Sequence, residues 1–339
     1  MRRSLWGIGT VLAVLSLVAC GPVPNPAPGA SSVAPTATSA PSESASPTPS
    51  STAAVATNSF NGDCTNAFSD AELGAIFGVA MVDHGVNWSI GQEESYGGLK
   101  CTWWSDDGKL GAIVVLTALP AAVVPDEVVE GVECSGGYFC EATMVTAQGW
   151  YSITVSGSAT SEEAGVAQSL LEMAAHRGDA LPAPVIPAVT TATWERPTPE
   201  CVDLGVLIAA PDGSPITNEG ENPKRDSLLR PLYDLLGKEC NFSMPNPDPD
   251  GTSNEVSFTV TVVPGGAVAF DAGVISGKGT PLEITNGEAA AVLMPIIYEG
   301  SSAVFATDGT NTVAIEVAMH AEASDFGWVA EQLIDGLAP

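Results

Sequence analysis

Strict alternation is the clearest pattern in this chain. Val256, Phe258, Val260 and Val262 interleave with Glu255, Ser257, Thr259 and Thr261, the period-two signature of a strand with one dry and one wetter face. The same pattern recurs at Tyr151, Ile153 and Val155 against Ser152, Thr154 and Ser156, and again at Val313, Ile315, Val317 and Met319. The latter two runs each lead into a helical pattern. One begins at Ser161 and carries Val166, Leu170, Met173 and Ala174; the other begins at Ser324 and carries Phe326, Val329, Leu333 and Leu337. Both spacings are one-faced, so each helix is expected to cover a sheet. Glu162 and Glu163 in the first turn of the earlier helix, with His176 and Arg177 in its last, complement its macrodipole.

The chain reads as two segments built alike. Cys64 and Cys101 bracket the start of one, Cys201 and Cys240 the start of the other. Each holds a short Leu-rich helix closed by glycine: Leu73, Ile76, Phe77 and Gly78, then Leu232, Leu235, Leu236 and Gly237. Ser69 and Glu72 form a capping box for the first. An Asp-Gly turn follows the second cysteine of each pair, at Asp107-Gly108 and Asp250-Gly251, which signals a hairpin. The expected fold class is α+β, with two related units. Each is an antiparallel β-sheet packed by an N-terminal short helix and a C-terminal helix, after a disordered tether. The expected boundaries are a signal peptide at 1–19, a tether at 20–58, units at 59–178 and 200–339, and a Pro-rich linker at 179–199.

The tether follows from composition. Residues 21–58 contain 8 Pro, 8 Ser, 5 Thr and 9 Ala, together 30 of 38 positions, too little apolar surface to fold. As a coil it would span about 35 Å, and roughly 120 Å as polyproline II. It is preceded by Arg2, Arg3 and an apolar run from Leu5 to Leu17, short for a spanning helix and suited to a signal-peptide core. That run ends in Leu17-Val18-Ala19-Cys20-Gly21. Here the chain resembles bacterial lipoproteins cut by signal peptidase II, and more broadly the poorly characterised envelope lipoproteins of Gram-positive bacteria, especially actinobacteria. The resemblance implies a diacylglyceryl thioether on Cys20, cleavage before it, and a lipid anchor on the outer face of the cytoplasmic membrane. Two acyl chains suffice for stable anchoring.

Cysteine usage agrees with that address. Of seven cysteines, removing Cys20 leaves six, which allow 15 pairings. Local spacing favours Cys64–Cys101, Cys134–Cys140 and Cys201–Cys240 as structural disulfides. The absence of any Cys-x-x-Cys removes thioredoxin-like and zinc-ribbon readings.

Charge and motifs mostly exclude. With 40 acidic against 11 basic residues the net charge is −29, which rules out nucleic acid as a partner and a polybasic membrane patch. No Gly-x-Ser-x-Gly elbow, Ser-x-x-Lys nucleophile, His-Glu-x-x-His or phosphate loop occurs, and no cofactor or catalytic residue is expected. Asp248 and Asp250 lie in an oxygen-rich loop that could hold calcium, though Pro-Asp-Gly is ordinary turn chemistry. The doublets Glu93-Glu94, Asp106-Asp107 and Glu162-Glu163 are read as solvated faces rather than as an acid/base pair. Trp103 and Trp104, with Trp88 and Trp150, could form an aromatic platform. Neighbouring strand residues face opposite ways, so one of Trp103 and Trp104 should pack on the disulfide and the other meet solvent. His84 is read as a loop residue. The function favoured is a non-catalytic binding or interaction module of the cell envelope, for a ligand or protein the residues do not identify. A divergent envelope hydrolase and an accessory subunit of a membrane complex are the alternatives.

Overall fold

The alternating runs become two antiparallel sheets in a mixed α+β structure. The computed structural model of the chain describes residues 58–83, 91–105, 111–135, 139–157, 163–195, 199–221, 232, 235–236, 239–246, 254–270, 279–294, 301–318 and 321–338. Cys20 and the tether up to residue 57 fall outside these, as do His84, Trp88, Asp106, Asp107, Glu162, Asp248 and Asp250.

The first sheet comprises β1 (Met81–Asp83), β2 (Leu99–Ser105), β3 (Ile113–Pro120), β4 (Gly131–Ser135), β5 (Phe139–Val145) and β6 (Gly149–Ser156), in the order β1-β2-β3-β6-β5-β4. The second comprises β7 (Thr217–Glu221), β8 (Glu239–Pro245), β9 (Glu255–Val263), β10 (Thr280–Leu282), β11 (Glu288–Met294), β12 (Ser301–Thr307) and β13 (Thr312–Val317). Its order is β10-β11-β12-β13-β9-β8-β7. With β10 set aside as an added edge strand, the two sheets are wired identically. Both belong to one compact unit, Ala53–Pro339.

The correspondence extends to single residues. In the first sheet one row across the strands reads Cys101, Leu116, Ile153 and Ala142. In the second the matching row reads Cys240, Val260, Ile315 and Val304. Each row starts at a disulfide that ties the sheet to the segment opening its half: Cys64–Cys101 and Cys201–Cys240, with Cα separations of 5.7 and 5.3 Å. The third bridge, Cys134–Cys140, joins β4 to β5. Bridges of this kind contribute about 2–4 kcal/mol each by restricting the unfolded chain.

Helices cover one face of each sheet. On the first, α2 (Glu163–Asp179) buries Ala167, Leu170, Leu171, Ala174 and Ala175, an i, i+3, i+4 stripe. Val166 and Met173, expected in that stripe, are only partly buried. On the second, α4 (Gly327–Leu337) buries Val329, Ala330, Leu333 and Ile334 against β13, β12 and β11. It starts three residues later than the pattern suggested, after a 3-10 turn at Ala323–Phe326. Phe242 stacks on Phe258 at 5.5 Å in the same core.

The short N-terminal helices are less alike than expected. In the first half α1 (Asp70–Phe77) buries Leu73 in that half's core. In the second half that place belongs to α3 (Cys201–Leu207), which begins at the disulfide and buries Leu204. The Leu-rich residues Leu232 and Leu236 turn instead against Leu119 and Trp150 on the outer face of the first sheet, and the Tyr96 hydroxyl donates to the Leu235 carbonyl at 3.0 Å. A short run of leucines fits either surface; tertiary packing chose the other half's sheet.

One carboxylate fastens α1 to α2. Glu72 accepts from the Ser69 backbone N–H and hydroxyl, at 3.0 and 2.9 Å, completing the capping box. It also takes both guanidinium nitrogens of Arg177, at 2.6 and 3.2 Å. Arg177 lies over the Phe68 ring and donates to the Ala67 carbonyl. The Arg177 hydrogen bond, followed by those from Ser69, holds the Glu72 carboxyl down at about 2, against an ordinary 4.5. A depressed carboxyl stabilises the fold fully above its unfolded value and loses that contribution as pH falls through about 2. Glu72→Gln is expected to cost about 1 kcal/mol at neutral pH, solvent screening of this half-exposed pair having reduced it. The difference from the parent chain should shrink to nothing as pH approaches 2, read by denaturant unfolding across a pH series; a constant difference would refute it.

Candidate functional site

The halves meet along a seam in which backbone, not side chains, comes closest. Gly91 has φ +83°, and a Cβ there would lie 2.1 Å from the Gly266 carbonyl oxygen. At Gly97 a Cβ would lie 2.6 Å from the carbonyl oxygen of Val185 in the linker. The first-half loop 91–98 is rigid in itself: Ser95 N–H donates to Gly91 O at 2.8 Å, Gly98 N–H to Glu93 O at 2.8 Å, and the Ser95 hydroxyl to Gln92 O at 2.9 Å.

The second half supplies the clamp. Asn311, fully buried, begins the approach to β13. Its side-chain oxygen accepts from the backbone N–H of Trp194 in the linker and of Gly265 after β9, each at 3.0 Å. Its amide nitrogen donates to Ala192 O at 2.9 Å and to Asp308 Oδ2 at 2.8 Å. All four bonding positions of the amide are filled. The linker is thereby tied to two turns of the second sheet, and Trp194 is buried in that half's core.

Between these parts lies a cleft of about 280 Å³. The linker forms one wall with Pro187, Val189, Thr190 and Thr193; Gly265, Ala267, Val268, Gly309 and Thr310 form another, and Ser95 comes from the first half. Its lining is uncharged. The hydroxyls of Thr190 and Thr193 face one another at 3.2 Å, so the cleft offers backbone groups, methyls and few free hydroxyls.

Charged side chains gather nearby. Glu93 and Glu94 are buried, at 4% and 2% exposure, which corrects the expectation of a solvated doublet. Lys100 accounts for it: its ammonium stands 3.9 Å from Glu93, and its backbone N–H donates to Glu94 at 3.4 Å. Glu163 is likewise buried at 4%. Across the seam, Glu316 stands on the outer face of β13 with its side chain exposed. Desolvation first, and then the negative charge of Glu239, push its carboxyl up, while Lys100 pulls it down. Lys100 is thus the cation shared by carboxylates of both halves. Among the described residues no group of three His, Cys, Asp or Glu side chains could hold a metal ion.

The aromatic candidates do not assemble. Trp103 is fully buried, edge-on to Phe68 at 5.5 Å, in the core beside Cys101. Trp104 points the opposite way and is half-buried rather than open to solvent. Trp150 shares that outer face, but the strand register sets Trp104 in the row of Ser156, six residues or about 20 Å from Trp150 along β6. Trp150 is fully buried under Leu232 and Leu236. The residues that shape the seam, Asn311, Gly91, Lys100 and Glu316, were not singled out by sequence. Asp308-Gly309-Thr310-Asn311 reads as an ordinary turn, and only the fold shows that its last amide reaches the linker.

No protein-family model matches the chain, and no curated protein or solved structure matches it.

Removing the clamp leaves buried N–H and C=O groups without partners, each costing about 1–3 kcal/mol. Asn311→Ala is therefore expected to destabilise by about 2–4 kcal/mol and to speed hydrogen exchange at the Trp194 and Gly265 amides; unchanged exchange there would refute the clamp. Glu316 has the opposite sign to Glu72. A carboxyl raised in the folded chain favours folding below its unfolded value and loses that contribution as pH rises. Glu316→Gln should stabilise the chain at pH 7 and make no difference below about pH 4; destabilisation at pH 7 would show that Lys100 dominates.

Proposed function

We propose that this chain is a lipid-anchored, extracytoplasmic lipoprotein whose folded part is a non-catalytic binding or interaction module of the cell envelope. Cys20 is the lipidated residue, and the 20–58 tether carries the module away from the outer face of the cytoplasmic membrane. The observation that supports this most is the sulfur count. Six of the seven cysteines close three disulfides, the state expected outside the cytoplasm. The remaining one is the cysteine that ends Leu17-Val18-Ala19-Cys20.

The non-catalytic reading is supported by an uncharged seam cleft and by buried carboxylates that are tied up by Lys100. The wiring common to both sheets supports an origin by duplication, with the two halves joined through the linker into one binding body. A divergent envelope hydrolase draws on a single observation, the raised carboxyl of Glu316 beside Glu239. No nucleic acid and no cofactor enter either reading.

Expression of the full chain with its own leader is the test. The parent protein should partition into the detergent phase of a cloud-point extraction and carry the mass of a diacylglyceryl group. Cys20→Ser should move it to the aqueous phase without that mass; acyl mass retained on the variant would overturn the anchor.

A further inference from the structure

Three of the four sheet edges are closed to strand addition by their own construction. β1 and β10 are three residues long, and β10 contains Pro281. β7 is broken by a bulge between Asn218 and Gly220. Short edges, proline, bulges and charged side chains are the usual means by which proteins block pairing. β4 has only the last of these, Glu133, which repels an acidic strand and accepts a basic one. Its five residues pair with β5 in unbroken register from Gly131↔Thr143 to Ser135↔Phe139, and all five are exposed.

The free groups of β4 can be assigned. Cys134 and Cys140 are directly opposed with Cα atoms 4.1 Å apart, the spacing of a non-hydrogen-bonded pair. Independently, the Val145 N–H points toward the β4 side and donates to Glu130 at 2.7 Å, which sets the same parity along β5. Hence Glu133 bonds to Glu141, while Val132 and Cys134 turn their N–H and C=O groups outward to the open edge. The disulfide ties β4 to β5. Beyond β4 the segment stays attached through the Thr143 hydroxyl, which donates to Val129 O at 2.6 Å.

The side chains around this edge select a partner. Asp126, Glu127, Glu130 and Glu133 precede or lie on β4, and no lysine or arginine occurs between Lys109 and Arg177. Among the described residues none of these four carboxylates has a cationic partner. Val129 and Val132 are 58% and 41% exposed. Val132 and Glu133 face opposite sides of the sheet, so an added strand would set an apolar residue beside one and a cation beside the other. We propose that β4 is a docking edge for an extended basic segment of a partner protein, which joins the first sheet as a further strand. A second copy of this chain is disfavoured, because it would pair two acidic edges, each with Glu130 and Glu133, between molecules each carrying −29. The proposal gives the binding-module reading its surface; it rests on that reading and not on the lipid anchor.

The test uses the full chain in detergent micelles and a capped peptide of alternating lysine and valine. A second peptide has the same sequence with every other backbone nitrogen methylated. The plain peptide should bind and protect the Val132 and Cys134 amides from exchange. Methylation should weaken binding by about tenfold or more, since main-chain bonds carry affinity in strand addition. Val132→Pro, which removes an outward N–H outside the ladder, should do the same. Should that variant unfold, the methylated peptide decides alone. Absence of binding at about 1 mM, equal binding of both peptides, or a dimer of the chain that Val132→Pro dissolves would each overturn the proposal. None of these results alters the detergent partitioning that tests the anchor.

Discussion

A buried amide with no spare bonding capacity holds the connection between the halves. Asn311 sits at 0% exposure and satisfies two N–H groups and two oxygens from three separate segments. A Pro-rich linker has little apolar surface with which to fix itself, and its backbone groups would otherwise stay in water. The amide offers them a saturated set of partners, and Trp194 follows into the core. The seam, the cleft and the meeting of Gly91 with Gly266 all lie against that tied segment.

Within each half the stabilising logic is the same. A disulfide enters the sheet at its second strand, the residues level with it across the strands are branched aliphatics or alanine, and a helix following the last central strand lies over them. Burial of those aliphatics drives the collapse, and the bridge restricts the unfolded chain. The outer faces differ from the inner ones. They carry Ser152, Thr143, Ser243 and Thr261, all buried, together with Lys100, Glu316 and the apolar contact of Leu232 and Leu236 with Trp150. Charge is placed unevenly there too: the cation shared across the seam is Lys100, while the stretch leading into β4 has only carboxylates. That asymmetry is what gives one edge of the molecule a preference for a cationic partner.

Sequence by itself determined the strands at Tyr151, Ile153 and Val155, at Val256 to Val262 and at Val313 to Val317, because alternation reports directly which side of a strand is dry. It also determined the capping box at Ser69 and Glu72, a matter of three-residue spacing, and the two covering helices to within a few residues. The three cysteine pairs read from local spacing are those the structure closes. Tertiary structure alone decided that Leu232 and Leu236 cross to the other half's sheet, that Glu93 and Glu94 go inside, and that the side chain of Asn311 clamps the linker. It also separated Trp104 from Trp150 by the length of a strand. The division has a physical cause. Periodicity and capping are set by neighbours within a few residues, whereas the burial of a polar group depends on a partner far away in sequence, and for Asn311 that partner is Trp194, 117 residues off.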